Sequence, residues 1–202
     1  ALRNLPLPEP AEVPLSQLRD PNPGGRAFAA AQLAGRPDAR DALLAIARDP
    51  EELPDVRAEA VHALGADPAA ADALLKLARD RSQPWLVRVV AVSALTQQPH
   101  ARFVAPLLEL LSDREESGLL RSRVVDVLVT LAETLSDDAV RGQVSTTLER
   151  IAEEDADPGT RRAAEEAWRR LDGGAGTWRG EEGSVTASLG LLVGGVALGG
   201  AG

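Results

Sequence analysis

Apolar residues recur along this chain at helical spacing. In the stretch 41–49 they are Leu43, Leu44, Ile46 and Ala47, in i, i+1, i+3, i+4 order. The same order returns at Leu74, Leu75, Leu77 and Ala78, and at Leu107, Leu108, Leu110 and Leu111. Each set forms one wide apolar face of an α-helix. A second kind of stripe precedes each of these, over 26–33, 57–64 and 88–95, as in Arg57-Ala-Glu-Ala-Val-His-Ala-Leu64. Looser copies run over 121–128 and 161–168. The leading arginines Arg26, Arg57, Arg88, Arg121 and Arg161 are 31, 31, 33 and 40 residues apart. A period of this size marks a solenoid of supersecondary units. The predicted fold is all-α, a superhelix of about four helix pairs plus a final helix. Neither helix of a pair can bury its face alone, so stacking makes the core. No alternating strand pattern occurs before residue 184.

Helix breakers fall where this scheme needs them. Pro37, Pro68 and Pro99 precede the second helices, expected near 37–48, 68–79, 99–112 and 137–153. Proline suits a first turn, whose N–H groups lack intrahelical partners. Pro54 and Pro84 lie near the start of first helices, and Asp49, Asp80 and Asp113 close second ones. The helix over 117–135 is predicted to be longer than its peers, with Ser136-Asp137-Asp138 capping the next. The predicted core includes Leu33, Leu44, Ala60, Leu64, Leu75, Ala91, Leu95, Leu108, Leu128, Leu148 and Ala164.

The Arg-x-x-Ala-Val-x-Ala-Leu helix, short turn, Ala-Leu-Leu-x-Leu-Ala helix and closing Asp resemble HEAT repeats, most nearly the short bacterial phycobilisome-lyase HEAT-like type. The resemblance covers about 15–172, with Leu15–Arg19 as the remnant of a preceding second helix. It implies that the second helices line a concave side and that protein partners bind there. It also implies pairing of an inter-repeat Asp with the Arg six residues on. Asp20/Arg26 and Asp155/Arg161 keep that spacing, whereas Asp49/Arg57, Asp80/Arg88 and Asp113/Arg121 are two residues longer. This departs from a uniform ladder.

Composition narrows the function. The net charge of −9 argues against nucleic acid, which is bound first through phosphate neutralisation. Cysteine is absent, which removes disulfides, thiolate metal sites and cysteine nucleophiles. Motifs for zinc hydrolysis, phosphate cradling or a nucleophile elbow do not occur. The two histidines, His62 and His100, read as helix-surface and helix-start residues, with no second ligand near either in sequence. Carboxylates cluster in turns and first helical turns, where they complement helix dipoles. The chain lacks the repeated His-Glu pairs of HEAT-like iron hydroxylases and the basic, aromatic-rich face of HEAT-like DNA glycosylases. No catalytic, cofactor-binding or metal-binding residue is predicted, and no cofactor.

Four segments follow: a Pro-rich arm over 1–14, the repeat domain over 15–172, a Gly-rich linker over 173–183, and an apolar Gly-rich tail over 184–202. The arm reads as an extended spacer. The chain begins at Ala1 and contains no Met, so either a trimmed initiator or a cleaved signal peptide is expected. The tail has no charge. It reads as a membrane-embedded helix with small residues spaced for close packing, as strands pairing with another chain, or as a flexible extension. Its candidate anchor residues are Leu189, Gly190, Leu191, Leu192, Val193, Gly194 and Gly195.

The function expected is a non-catalytic interaction scaffold, tethered by the tail to a membrane or a larger complex. A membrane-associated or cell-envelope location is favoured over a cytoplasmic one. The alternative is an accessory lyase subunit related to bilin lyases. Candidate protein-binding residues are Arg40, Asp41, Asp72, Lys76, Arg102, Glu109 and Arg141 on second helices, with Trp85 as an anchor. Trp178 is a second possible anchor, and Trp168 is expected to cap the final helix.

Overall fold

A computed structural model of the chain describes residues 13–172. The arm up to residue 12, the linker and the tail, including every candidate anchor residue, lie outside the described residues. All regular structure among the described residues is helical. The helices are α1 (Pro23–Gln32), α2 (Arg40–Arg48), α3 (Pro54–Leu64), α4 (Ala71–Arg79), α5 (Trp85–Ala94), α6 (Val104–Ser112), α7 (Gly118–Leu135), α8 (Asp138–Glu154) and α9 (Pro158–Leu171). They form four pairs and a final single helix, as the repeat period predicts.

The local chemistry of the ends agrees with the sequence. Pro23, Pro54 and Pro158 open α1, α3 and α9. Pro37 and Pro68 open short 3-10 turns that lead into α2 and α4. His100 does the corresponding work before α6: its Nδ1 accepts the Arg102 backbone N–H at 3.1 Å. Asp137 caps α8 by accepting from Ala139 N–H at 2.8 Å and Val140 N–H at 3.2 Å. Between α7 and α8 the chain reverses through Ser136 at φ 51°, a left-handed C-cap. Leu15–Arg19 forms a 3-10 helix that buries Leu18.

Each first helix packs on the next: α1 on α3, α3 on α5, α5 on α7 and α7 on α9. Each second helix packs on the first helix of the following pair. Within the row of second helices, only α6 and α8 approach appreciably, and less closely than neighbouring first helices do. The difference follows from side-chain size. Alanines such as Ala29, Ala30, Ala60, Ala63, Ala91 and Ala94 lie on the buried faces of α1, α3 and α5, whereas leucines predominate on that of α6. A stack with one row tighter than the other bends toward the tight row. The first helices form the closely packed inner row and the second helices the wider-spaced outer row.

The core follows the predicted positions, with a shift in two helices. Leu33, Ala60, Leu64, Ala91, Leu95, Leu108, Leu128, Leu148 and Ala164 are buried. Leu44 and Leu75 are only partly buried at the core's edge, and their neighbours Leu43 and Leu74 are fully enclosed instead. Both members of each Leu-Leu pair lie on the apolar face, and the first of the two is the more enclosed in α2, α4 and α6.

Buried and half-buried arginines join the repeats in two ways, and the spacing noted in the sequence separates them. Arg57, Arg88 and Arg121, eight residues after their Asp, donate Nε to the carbonyls of Ala47 (3.1 Å), Ala78 (3.0 Å) and Leu111 (2.8 Å). These carbonyls lie in the last turn of α2, α4 and α6, where no helical N–H follows to claim them. Arg26 and Arg161, at spacing six, donate Nη1 to the carbonyls of Asp20 and Asp155, each at 2.7 Å. In neither class does the arginine hydrogen-bond the carboxylate of its own turn. Asp49, Asp80 and Asp113 instead accept the backbone N–H two residues on, at 2.9–3.0 Å. The counter-charge comes from the next turn along: Glu52 for Arg26, Glu116 for Arg88 and Asp155 for Arg121. Arg57 meets the neutral Gln83 at that place.

Candidate partner-binding surface

The sequence-predicted contact residues of the second helices do not converge. They are spread along α2, α4, α6 and α8 and the 3-10 turn before α6. Arg40 is held by Asp67, with Nη2 donating to Oδ1 at 3.0 Å, and this bridge ties α2 to the turn that opens α4. Asp67 is buried, and the Arg40 guanidinium holds its carboxyl below the usual range. Arg102 lies 3.8 Å from Asp72, and Glu109 accepts from Arg79 at 2.9 Å. Arg141 donates to the Leu171 carbonyl at 3.4 Å. Asp41 and Lys76 are exposed. Much of this set therefore ties elements of the stack together across its outer side.

The inner side has a different chemistry. Phe28 on α1, Trp85 on α5 and Leu119 on α7 are 60, 63 and 64 % exposed, unusual for side chains of this size. Between α3 and α5 the surface opens a groove of about 510 Å³. One wall carries Asp55, Ala58, Glu59 and His62, and the other carries Leu86 and Val90. Asp55 and Glu59 are one helical turn apart, and so are Leu86 and Val90, so each pair points the same way. Gln97 Nε2 donates to the His62 carbonyl at 3.0 Å. Gly65 leaves room for that contact, since a β-carbon there would come within 2.5 Å of the Gln97 amide.

Charge on the rest of this side is neutralised locally. Arg123 pairs with Asp126, Arg162 with Glu166 and Arg170 with Glu133. Asp55 and Glu59 form no ion pair among the described residues. A second groove, of about 380 Å³, lies between α7 and α9 and is lined by some of these paired charges. A larger open space of about 880 Å³ lies over α8 and the end of α9, where a further second helix would stack. Trp168 and Leu171 border it and are themselves buried.

Sequence reasoning placed Trp85 among the contacts and missed Phe28, Leu86, Val90 and Leu119. A signal existed. The residues two before the leading arginines are Gly24, Asp55, Leu86, Leu119 and Gly159, and two after they are Phe28, Glu59, Val90, Arg123 and Ala163. Phe28, Leu86, Val90 and Leu119 are large apolar residues at positions that other repeats fill with polar or small ones.

No metal-binding group of His, Asp and Glu side chains occurs among the described residues, and none of their helices is long and apolar enough to cross a membrane. No curated protein matches the chain. Residues 11–86 match the family model of HEAT repeats, and the described helix pairs, within that stretch and after it, build the α–α solenoid that such repeats form.

Proposed function

We propose that this chain is a non-catalytic protein–protein interaction scaffold whose apolar tail, 184–202, tethers it to a membrane or a larger assembly. HEAT repeats generally mediate protein–protein interaction, and that supports the first half of the reading. The observation that carries it is the exposure of Phe28, Trp85 and Leu119 on first helices of a stack braced by buried arginines. Exposed apolar area of this kind on a rigid support is characteristic of an interaction face. The second half rests on the tail's lack of charge and its Gly190/Gly194 and Gly195/Gly199 spacing. A related lyase subunit is the alternative, and no arrangement among the described residues favours it.

Affinity capture of the full chain from its native cells, with and without 184–202, tests both halves. The expected result is a stoichiometric protein partner with either form, and membrane or assembly association with the full chain alone. Failure of any protein to co-purify in stoichiometric amount overturns the scaffold reading. Equal fractionation of the two forms overturns the tether.

A further inference from the structure

We propose that the α3/α5 groove is the docking site for a cationic amphipathic helix of a partner protein. The inference rests on the scaffold reading and adds the location and the chemistry of the partner. Three observations carry it. The groove has two chemically distinct walls, Asp55 and Glu59 on α3 and Leu86 and Val90 on α5. Each wall repeats at one helical turn, which matches side chains three or four apart along a docked helix. The two carboxylates have no cationic partner among the described residues, whereas the exposed charges of α7 and α9 on this side are neutralised in pairs.

An occupant complementary to both walls places aliphatic side chains on Leu86 and Val90 and extends Lys or Arg toward Asp55 and Glu59. An uncharged segment, such as the chain's own tail, leaves the acidic wall without a partner. Nucleic acid and anionic lipid bring the wrong charge to it. Apolar contact with α5 supplies affinity, and the carboxylates set orientation and speed of encounter. Exposed Phe28 on α1 and Leu119 on α7 extend the apolar surface to either side of α3 and α5.

The probe is a fluorescein-labelled 18-residue helical peptide with leucines on one face and lysines along its flank. A second peptide replaces each lysine by glutamate. Both are titrated by fluorescence anisotropy into the full chain and into its Asp55→Lys/Glu59→Lys, Val90→Asp and Glu149→Lys/Glu153→Lys forms. The last pair lies on α8, on the other side of the stack, and controls for general attraction to an acidic protein. Circular dichroism melting confirms that each variant is folded. The expected result is saturable binding of the lysine peptide, weakened at least about tenfold by Asp55→Lys/Glu59→Lys, with the glutamate peptide gaining affinity for that variant. Val90→Asp weakens both peptides, and the α8 control leaves both within about twofold. Absence of saturable binding, or equal loss from the α3 and α8 charge reversals, overturns the proposal. Retention of a co-purifying native partner by Asp55→Lys/Glu59→Lys also overturns the groove assignment while leaving the scaffold reading intact.

Discussion

Arg88 and Glu116 meet across an inter-repeat turn, 28 residues apart in sequence and both buried, with Nη1 donating to Oε1 at 2.9 Å. Arg88 also holds the Ala78 carbonyl at the end of α4. One guanidinium thus joins three successive elements. Such a pair yields little net stability against an apolar replacement, but breaking it leaves a charge stranded. Glu116→Ala is expected to cost about 3–5 kcal/mol in thermal or urea denaturation. Arg88→Met/Glu116→Leu together are expected to cost less than Glu116→Ala alone. A loss for Glu116→Ala no larger than that for Glu166→Ala, which breaks an exposed pair on α9, contradicts this.

Arg57 is the weak joint of the series. It is buried, yet its forward partner is the neutral Gln83, whose Nε2 in turn donates to Asp80 at 2.7 Å. Glu52 and Glu116 occupy the corresponding place, three residues after Asp49 and Asp113. Gln83→Glu therefore supplies the missing counter-charge. Its expected effect is a gain of about 1–2 kcal/mol, the loss of the Asp80 contact offsetting part of the new bond. A lower melting temperature would show that Arg57 is already satisfied.

Stability should fall on acidification through the inter-repeat carboxylates. Hydrogen bonds from Arg26 and Arg88 hold Glu52 and Glu116 below 4.5. Burial is the largest influence on Asp155 and opposes its ionisation, but the Arg121 hydrogen bonds, the Asp157 backbone N–H and the charges of Arg121 and Arg114 together outweigh it and hold its carboxyl below the usual range. Folded-state values below the unfolded ones give stability that is complete above the unfolded pKa and lost as pH falls through the folded one. Unfolding free energy is expected to decline from just above pH 4.5 downward. Glu116→Gln should flatten that limb. A limb of unchanged steepness in Glu116→Gln would assign the acid sensitivity elsewhere.

The two leucines of α4 should separate cleanly. Leu74 is enclosed and Leu75 is only partly buried at the core's edge. Leu74→Ala is expected to cost about 2–5 kcal/mol and Leu75→Ala distinctly less. Hydrogen exchange in Leu74→Ala should quicken first in α3 to α5, because coupling in a stack is between neighbours. The reverse ranking would put the register of α4 wrong.

The repeat period and helix pairing were legible because apolar spacing and capping are local properties of 31-residue units. The choice of Leu43 over Leu44, and of Leu74 over Leu75, was not, since it depends on contacts with other helices. The arginine ladder was half visible. Asp and Arg were recognised, but the counter-charges of Arg26, Arg88 and Arg121 lie 26 to 34 residues onward, and no local pattern links them. Which row packs more tightly was not legible, because it depends on contacts between successive repeats. The groove was not legible, because Asp55 and Glu59 meet Leu86 and Val90 only once α3 packs on α5.

Hydrogen exchange on the full chain, free and saturated with its captured native partner, tests the docking surface most directly. Slowed exchange over 54–64 and 85–94, with α2 and α6 unchanged, is the predicted result. Protection confined to α2, α4, α6 and α8, or protection nowhere in 13–172, would contradict a partner seated on the first helices.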